Sequence, residues 1–328
     1  MNRDEILELL EQSGERPVSG EQLSKALGVS RAAVWKQIKA LREMGYRIEG
    51  SPRSGYRLEG VPDILYPREI RKRLQTRAFG REIFHFMKVG STNQVAFDLA
   101  HRGYPEGTLV IAEEQTSGRG RWQRNWFSPP RVGIWMSLIL RPDVAPVRVP
   151  QVTLVIGAAC ARAIHSCLGF KPAIKWPNDL LYDGKKFCGI LVEMEATAEQ
   201  ARFLVAGIGI NVNQDESDFP PELRETATSL RMITGDEVDR ISLLCRTLEA
   251  LEEDYRCFLS EGFAALRKKW LEYDATLGKA VRVRLGSREL IGTAEDLDEE
   301  GSLLLRLNDG RLQRVNSGEL TLCRHADA

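Results

Sequence analysis

Four short segments of this 328-residue chain carry side chains suited to ligand chemistry, three of them to charged groups and one to a neutral head group. Gly118-Arg119-Gly120-Arg121, with Arg124 close behind, combines two useful properties. Its glycines let backbone N–H groups approach a ligand, and its guanidinium forks grip phosphate or carboxylate. The spacing G-x-x-x-x-G-K-S/T is absent, so this is not a P-loop. Lys175-Trp176-Pro177-Asn178-Asp179 sets a rigid proline turn after a strand, where Asn178 and Asp179 can position a ligand or bind Mg²⁺. Lys186 opens the strand that follows. By alternation it shares a face with Cys188, Ile190, Val192 and Met194, whereas Lys185 shares one with Glu193, so Lys186 is the lysine expected to face a cleft. An inward ammonium needs an anionic partner, which a carboxylate or phosphate ligand would supply. Ser91-Thr92-Asn93 reads as a helix cap and, with Gln115, suits a neutral hydrogen-bonding head group such as a cyclic urea. Taken singly, each segment also has a plainer reading: a surface loop, an Asx turn, a lysine snorkelling from a frayed strand, a simple cap.

The elements that must position these groups form a central α/β region over residues 64–273. Strands are expected over 108–112, 134–140 and 203–210, and helices over 151–168, ended by Gly169, and 241–259. Asp183-Gly184 is a two-residue hairpin turn between strands at 180–182 and 187–194, so the sheet is mixed rather than purely parallel. From residue 277 to 328 short strands alternate, at 280–285, 290–294, 303–307 and 312–315, with Asn308-Asp309-Gly310 turning the last hairpin; this suits a small barrel.

Residues 1–60 are of another kind. Ile6, Leu9 and Leu10 stripe a first helix; Ser19 caps a second, with Glu21 and Gln22 in its first turn and Leu23 and Leu27 inside; Gly28 turns the chain and Ser30 caps a third. In the third, Val34, Ile38 and Leu41 pack inward and leave Arg31, Ala32, Trp35, Lys36 and Lys39 outside. Two strands around residues 46–48 and 56–58 flank the loop 50–55, a basic wing containing Arg53. Residues 1–24 hold two Lys/Arg against six Asp/Glu, whereas residues 25–57 hold eight against two. In a chain of zero net charge that segregation marks a nucleic-acid surface, although a three-helix bundle with a solvated charged face is the plainer reading. Lys36, Lys39 and Arg53 are placed for phosphates, and Arg31 and Ala32 for base edges. Gly60-Val61-Pro62-Asp63 and Tyr66-Pro67 read as a linker.

Composition narrows the class. Hydrophobic residues make up 43% and charged residues 28%, as in globular domains. The six cysteines form no C-x-x-C pair and no cluster with the four histidines, which argues against a structural metal and a disulfide framework and fits the cytoplasm. The acidic start does not read as a signal peptide. The apolar run 152–167 is broken by Arg162 and His165 and reads as a buried helix, with no membrane partner.

Taken in order and at their approximate spacing, the four segments resemble the biotin–protein ligase family. With the N-terminal helix-turn-helix, the chain resembles its bifunctional type, which also represses the biotin operon. The resemblance implies an α+β chain: a winged helix-turn-helix at 1–60, a mixed-sheet catalytic domain of the biotin/lipoate ligase type at 64–273, and an SH3-like barrel at 277–328. It implies biotin contacts at Ser91, Thr92, Asn93, Gln115, Arg119, Gly120, Arg121 and Lys186, and adenylate contacts at Arg121, Arg124, Asn178 and Asn211. Catalytic roles are implied for Lys186, Arg119, Arg121 and Asp179, with ATP and Mg²⁺ as co-substrate and Mg²⁺ near Asp179. The implied partners are biotin carboxyl carrier protein, operator DNA and, with adenylate bound, a second copy of the chain, residues 118–124 acting as the switch. The resemblance departs at Gln123, where many relatives have glycine. A sensor without catalysis, a lipoate-attaching relative and a ligase that no longer binds DNA remain open alternatives.

Overall fold

A computed structural model describes residues 3–323. The chain divides into two compact units, Met1–Ile64 and Leu65–Ala328.

In the first unit α1 (Arg3–Ser13), α2 (Gly20–Leu27) and α3 (Arg31–Glu43) precede a hairpin of β1 (Arg47–Ser51) and β2 (Gly55–Gly60). Ser19 and Gln22 form a reciprocal capping box, Gly28 leaves α2 with φ 65°, and Ser30 accepts the Ala33 N–H. Val34, Ile38 and Leu41 are buried, as their spacing requires. The buried stripe of α1 is Ile6, Leu7 and Leu10, with Leu9 only half-buried. Leu10 lies three and four positions beyond Leu7 and Ile6, so those three share one helical face, and Leu9 falls at its margin. Val18 pairs with Tyr56 as a third bridge in the wing. Arg42 fastens the wing to α3, donating to Ile48 O at 2.8 Å and Gly50 O at 2.9 Å.

The second unit starts sooner than a Tyr66-Pro67 linker would allow. Leu65 is fully buried, Tyr66 takes the N-cap position, and Pro67 opens α4 (Pro67–Arg73), where a missing N–H costs nothing. Next come β3 (Ile83–Phe86), α5 (Thr92–His101), β4 (Leu109–Ala112), β5 (Gly133–Leu140) and α6 (Val149–Leu168). They are followed by β6 (Ala173–Lys175), β7 (Asp179–Tyr182), β8 (Lys185–Ala196), β9 (Ala201–Asn211), α7 (Leu230–Thr234), α8 (Arg240–Glu261) and α9 (Ala264–Leu271). The sheet order is β3-β4-β5-β9-β8-β7-β6, parallel between β3 and β4 and antiparallel elsewhere. It is the mixed sheet expected from its hairpins.

The two faces of this sheet are unequal. On one, even-numbered residues of β9 such as Leu204, Ala206 and Ile208 join a core with α6 and α8. The apolar run of α6 lies in that core and is mostly buried. On the other, Phe203 and Val205 pack with Ala96, Leu99 and Ala100 of α5, but the next residues of the same parity are Gly207 and Gly209. The core therefore stops partway along the strand and leaves an uncovered floor.

The last five strands are β10 (Ala280–Leu285), β11 (Arg288–Leu297), β12 (Leu303–Leu307), β13 (Leu312–Val315) and β14 (Glu319–Leu322), in the antiparallel order β13-β12-β11-β10-β14. This pairing makes a five-stranded antiparallel sheet in the region where the resemblance implied an SH3-like barrel. Val281, Leu297 and Leu305 belong to the same continuous core as α6 and α8. Trp176 Nε1 donates to Gly301 O at 3.4 Å across that junction.

Candidate active site

The glycine floor makes the site. A Cβ on Gly207 would meet Asn93 Oδ1 at 2.2 Å, one on Gly209 would meet Trp126 Nε1 at 2.3 Å, and one on Gly189 would meet Trp126 at 2.9 Å and Lys186 Cε at 3.0 Å. Asn93, Trp126 and Lys186 thus lie directly on bare backbone, the close approach that glycine in a strand permits.

Ser91 stands at the N-cap of α5 without making the side-chain capping bond its residue type suggests. Gln115 caps the helix from outside instead: its Oε1 accepts the Thr92 N–H at 2.9 Å, and its Nε2 donates to Ser128 Oγ at 2.9 Å. The arginine loop is folded back on itself, with Gly120 N–H to Arg124 O at 2.7 Å and Trp126 N–H to Gly118 O at 2.9 Å. Its tip holds Trp122 and Gln123, both at φ 58°, a left-handed conformation that costs about 1–2 kcal/mol per residue outside glycine. The strands on either side of the loop are tied together by a fully buried ion pair: Arg240 donates to Glu113 at 3.0 Å and to Gly133 O at 2.9 Å. Glu113 also accepts the Leu65 N–H at 2.7 Å. Burial works against the Glu113 charge, but His85, Arg240 and the Leu65 N–H outweigh it and hold the carboxyl below its ordinary pKa.

Lys186 reaches this cleft for a reason other than simple alternation. Leu180 pairs with Cys188 and Leu181 with Lys186, so Phe187 is an extra, bulged residue. The bulge moves Lys186 to the Gly189 face and leaves Cys188 and Ile190 in the opposite core. Its expected anionic partner is also internal. Asp179 forms ion pairs with Lys186 at 2.5 Å and with Lys175 at 3.4 Å. Lys186 Nζ lies 5.1 Å from the centre of the Trp126 ring. Arg121 donates to Asn178 Oδ1 at 3.0 Å; burial lowers its pKa, against the pull of Asp179 and Glu319. Arg124 pairs with Glu319 of β14, and Asn211 donates to Thr228 O at 3.0 Å. The turn carrying Asn178 and Asp179 contains a cis Trp176-Pro177 bond.

Two joined cavities result. A narrow slot of about 50 Å³ is lined by Ser91, Thr92, Asn93, Gln115, Arg119, Gly120, Arg121, Asn178, Lys186 and the three floor glycines. A wider chamber of about 560 Å³ is lined by Arg121, Arg124, Lys175, Asn178, Asp179, Lys186 and Asn211. Arg121, Asn178, Lys186 and Trp126 border both. Of the cations, Arg121 and Lys186 stand at the boundary, Arg119 lines the slot, and Arg124 and Lys175 line the chamber. Trp126 Nε1 is buried with no hydrogen-bond partner among the described residues, a donor left for a ligand to satisfy. Residue types alone do not single out Trp126, Ser137 or the floor glycines. The alternating Gly207-x-Gly209 in a strand is the signal that could have found the floor.

Asp179 does not fit a dedicated Mg²⁺ site. Two ammonium groups already surround its carboxylate, and among the described residues no three His, Cys, Asp or Glu side chains cluster to hold a metal.

In the first unit, Arg31, Ala32, Lys36, Lys39 and Arg53 are exposed, and Trp35 is 50% exposed. Arg31 reaches the wing at Pro52 O (3.4 Å), and Lys39 lies 4.0 Å from Glu43.

Three family models match the chain: an HTH domain over residues 2–57, the biotin/lipoate A/B protein ligase family over 86–213, and the biotin protein ligase C-terminal domain over 276–321. The chain is 42% identical to the bifunctional ligase/repressor BirA of Bacillus subtilis, over 98% of both chains. It is 34% identical to a biotin–[acetyl-CoA-carboxylase] ligase of Mycobacterium tuberculosis, over 74% of this chain and 90% of that one. The solved biotin protein ligase from Aquifex aeolicus in complex with biotin and ATP superposes with a TM-score of 0.64 at 31% identity, covering 74% of this chain and 99% of that one.

Proposed function

The chain belongs to the biotin protein ligase family, and from that membership and its site we propose an ATP-dependent biotin–protein ligase that is also a transcriptional repressor. The ligase joins biotin to ATP as biotinyl-5′-adenylate, releasing pyrophosphate, and then transfers biotin to a lysine of the biotin carboxyl carrier protein of acetyl-CoA carboxylase. The observation that carries the ligase reading is the convergence of Arg121 and Lys186 where the slot meets the chamber, with the exposed Arg119 lining the slot alone.

The chemistry needs that convergence. Biotin's carboxylate oxygen must attack the α-phosphorus of ATP, and two anions repel. Arg121 spends one N–H on Asn178, and a guanidinium has further donors for phosphate oxygens. Lys186 exchanges Asp179 for the biotin carboxylate and stabilises the charge that develops as the P–O bond to pyrophosphate breaks. Asp179 serves by holding Lys186 and Lys175 in place. In the second step the acceptor amine attacks the acyl carbon, loses a proton, and AMP leaves. No Ser or Cys nucleophile is needed, because positioning and charge stabilisation suffice. Ser91, Thr92, Asn93 and Gln115 hold the ureido ring, and Arg124 and Asn211 border the adenylate. Mg²⁺ arrives on the phosphates of ATP, where it offsets their charge.

Repression uses α3 and its wing: Lys36, Lys39 and Arg53 take phosphates, while Arg31, Ala32 and Trp35 face bases. The partners are operator DNA of biotin-synthesis genes and, once adenylate is bound, a second copy of the chain; the setting is the cytoplasm. Biotin-dependent pyrophosphate release tests the ligase. Lys186→Ala is expected to lose about 2–4 kcal/mol of transition-state stabilisation, read as a fall in kcat. An unchanged rate would remove Lys186 from the mechanism.

A further inference from the structure

Behind the slot runs an unbroken chain of polar side chains whose direction is set at one end. Asn93 Nδ2 lies 2.7 Å from Glu193 Oε2, on β8. A carboxylate only accepts, so the amide must turn its NH₂ toward Glu193 and its oxygen toward Ser137. Ser137 Oγ is 2.6 Å from that oxygen and therefore donates to it. Ser137 has one hydrogen, so the 2.8 Å contact between Ser137 Oγ and Thr92 Oγ1 is carried by the Thr92 hydrogen. Thr92 Oγ1 also lies 3.0 Å from Gln115 Oε1; with its one hydrogen placed on the shorter 2.8 Å contact to Ser137, Thr92 Oγ1 and Gln115 Oε1 stand side by side as two acceptors. Both residues line the slot, and Ser137 is fully buried behind it.

We propose that Glu193 sets the hydrogen-bond polarity of the slot through Asn93 and Ser137, so that the slot presents acceptors to ring N–H groups and selects a cyclic urea over rings that lack them. Glu193 is a positioning residue, because it reaches the ligand only through Asn93. Without its charge the Asn93 amide can turn over, Ser137 donates to Thr92, Thr92 donates to Gln115, and the acceptor pair facing the ligand is lost. A dithiolane ring has no N–H to offer that pair, whereas a ureido ring has two. This inference rests on biotin being the substrate.

The test uses the full chain and pyrophosphate release with two acids: biotin, and its carbamate analogue, in which a ring oxygen replaces one ureido N–H. The unmodified protein is expected to favour biotin by about tenfold in KM, the worth of one hydrogen bond in a site that leaves its partner unpaired. Glu193→Gln, which can accept from Asn93 or donate to it, is expected to raise the KM for biotin about tenfold and to erase most of that preference, with kcat kept. Glu193→Asp, which keeps the charge, is expected to restore part of the preference. If Glu193→Gln retains both the KM and the preference, the inference falls alone. If the unmodified protein releases no pyrophosphate with biotin, the ligase reading falls and takes this one with it. A parallel loss of kcat and of preference in both variants would assign Glu193 a merely structural role and overturn the inference.

Discussion

Adding one methyl group at Gly207 should close the slot. The new Cβ would sit 2.2 Å from Asn93 Oδ1, 2.9 Å from Cγ and 3.0 Å from Nδ2, well inside contact distance. Asn93 cannot swing aside freely, because Glu193 at 2.7 Å and Ser137 at 2.6 Å hold its two ends. The protein must either strain the backbone, at about 1–3 kcal/mol, or break a neutral and a charged hydrogen bond, worth about 0.5–1.5 and 1.5–3 kcal/mol. The cheaper route costs about 2 kcal/mol, or roughly 30-fold in affinity. Gly207→Ala is therefore expected to raise the KM for biotin between about 10- and 100-fold. Steady-state pyrophosphate release over a biotin titration measures this. Gly157→Ala is the matched control on the other side of the sheet. There a Cβ meets Ile190 Cδ1 at 3.7 Å and Ile174 Cγ2 at 4.0 Å, ordinary contacts made from α6. Alanine gains about 1 kcal/mol over glycine in a helix, so Tm is expected to rise about 2–4 °C with KM unchanged. A folded Gly207→Ala protein with the KM of its parent would refute the picture of a floor that must stay bare.

Two further outcomes follow from charges elsewhere. Removing Lys36 and Lys39 together should weaken operator binding and flatten the plot of log K against log salt by about 1.8, since each phosphate contact contributes about 0.9; Glu43 is no obstacle, because exposed ion pairs are worth at most about 1 kcal/mol. An unaltered slope in a mobility-shift titration would place the DNA contacts on other residues. Glu252 is opposed by burial, yet the backbone N–H groups of Arg77, Phe79 and Ala78 outweigh it and hold its pKa below the ordinary 4.5. A group lowered in this way stabilises the fold above pH 4.5, and the contribution is lost as pH falls through the lower folded value. Melting curves from pH 7 down to that range should show Glu252→Gln less stable than its parent at neutral pH, the two converging in acid; parallel curves would count against it.

Much of this molecule is legible in residue type and spacing. Ser19 and Ser30 open their helices and Gly28 and Gly169 close theirs as residue type and position indicate, and Asp183-Gly184 turns its hairpin. The four candidate segments are identifiable one by one, and the structure brings them to two adjoining cavities. Caps, turns and periodicity depend on groups a few residues apart, so the local chain contains the physics that decides them.

What only the tertiary structure decides lies at contacts between distant segments. Alternation along 185–194 places Lys186 with Cys188, and a bulge at Phe187, visible only in pairing with β7, puts it on the opposite face. Ser91 is the expected cap of α5, but Gln115 does the capping from 23 positions beyond Thr92. Pro67 has the character of a breaker, yet it opens a helix once Leu65 is buried and Glu113 takes its N–H. β14 emerges only from its pairing with β10, and Glu319 on it meets Arg124. In each case the deciding term is a hydrogen bond, charge or register supplied by a partner remote in the chain, which a local sequence pattern does not contain.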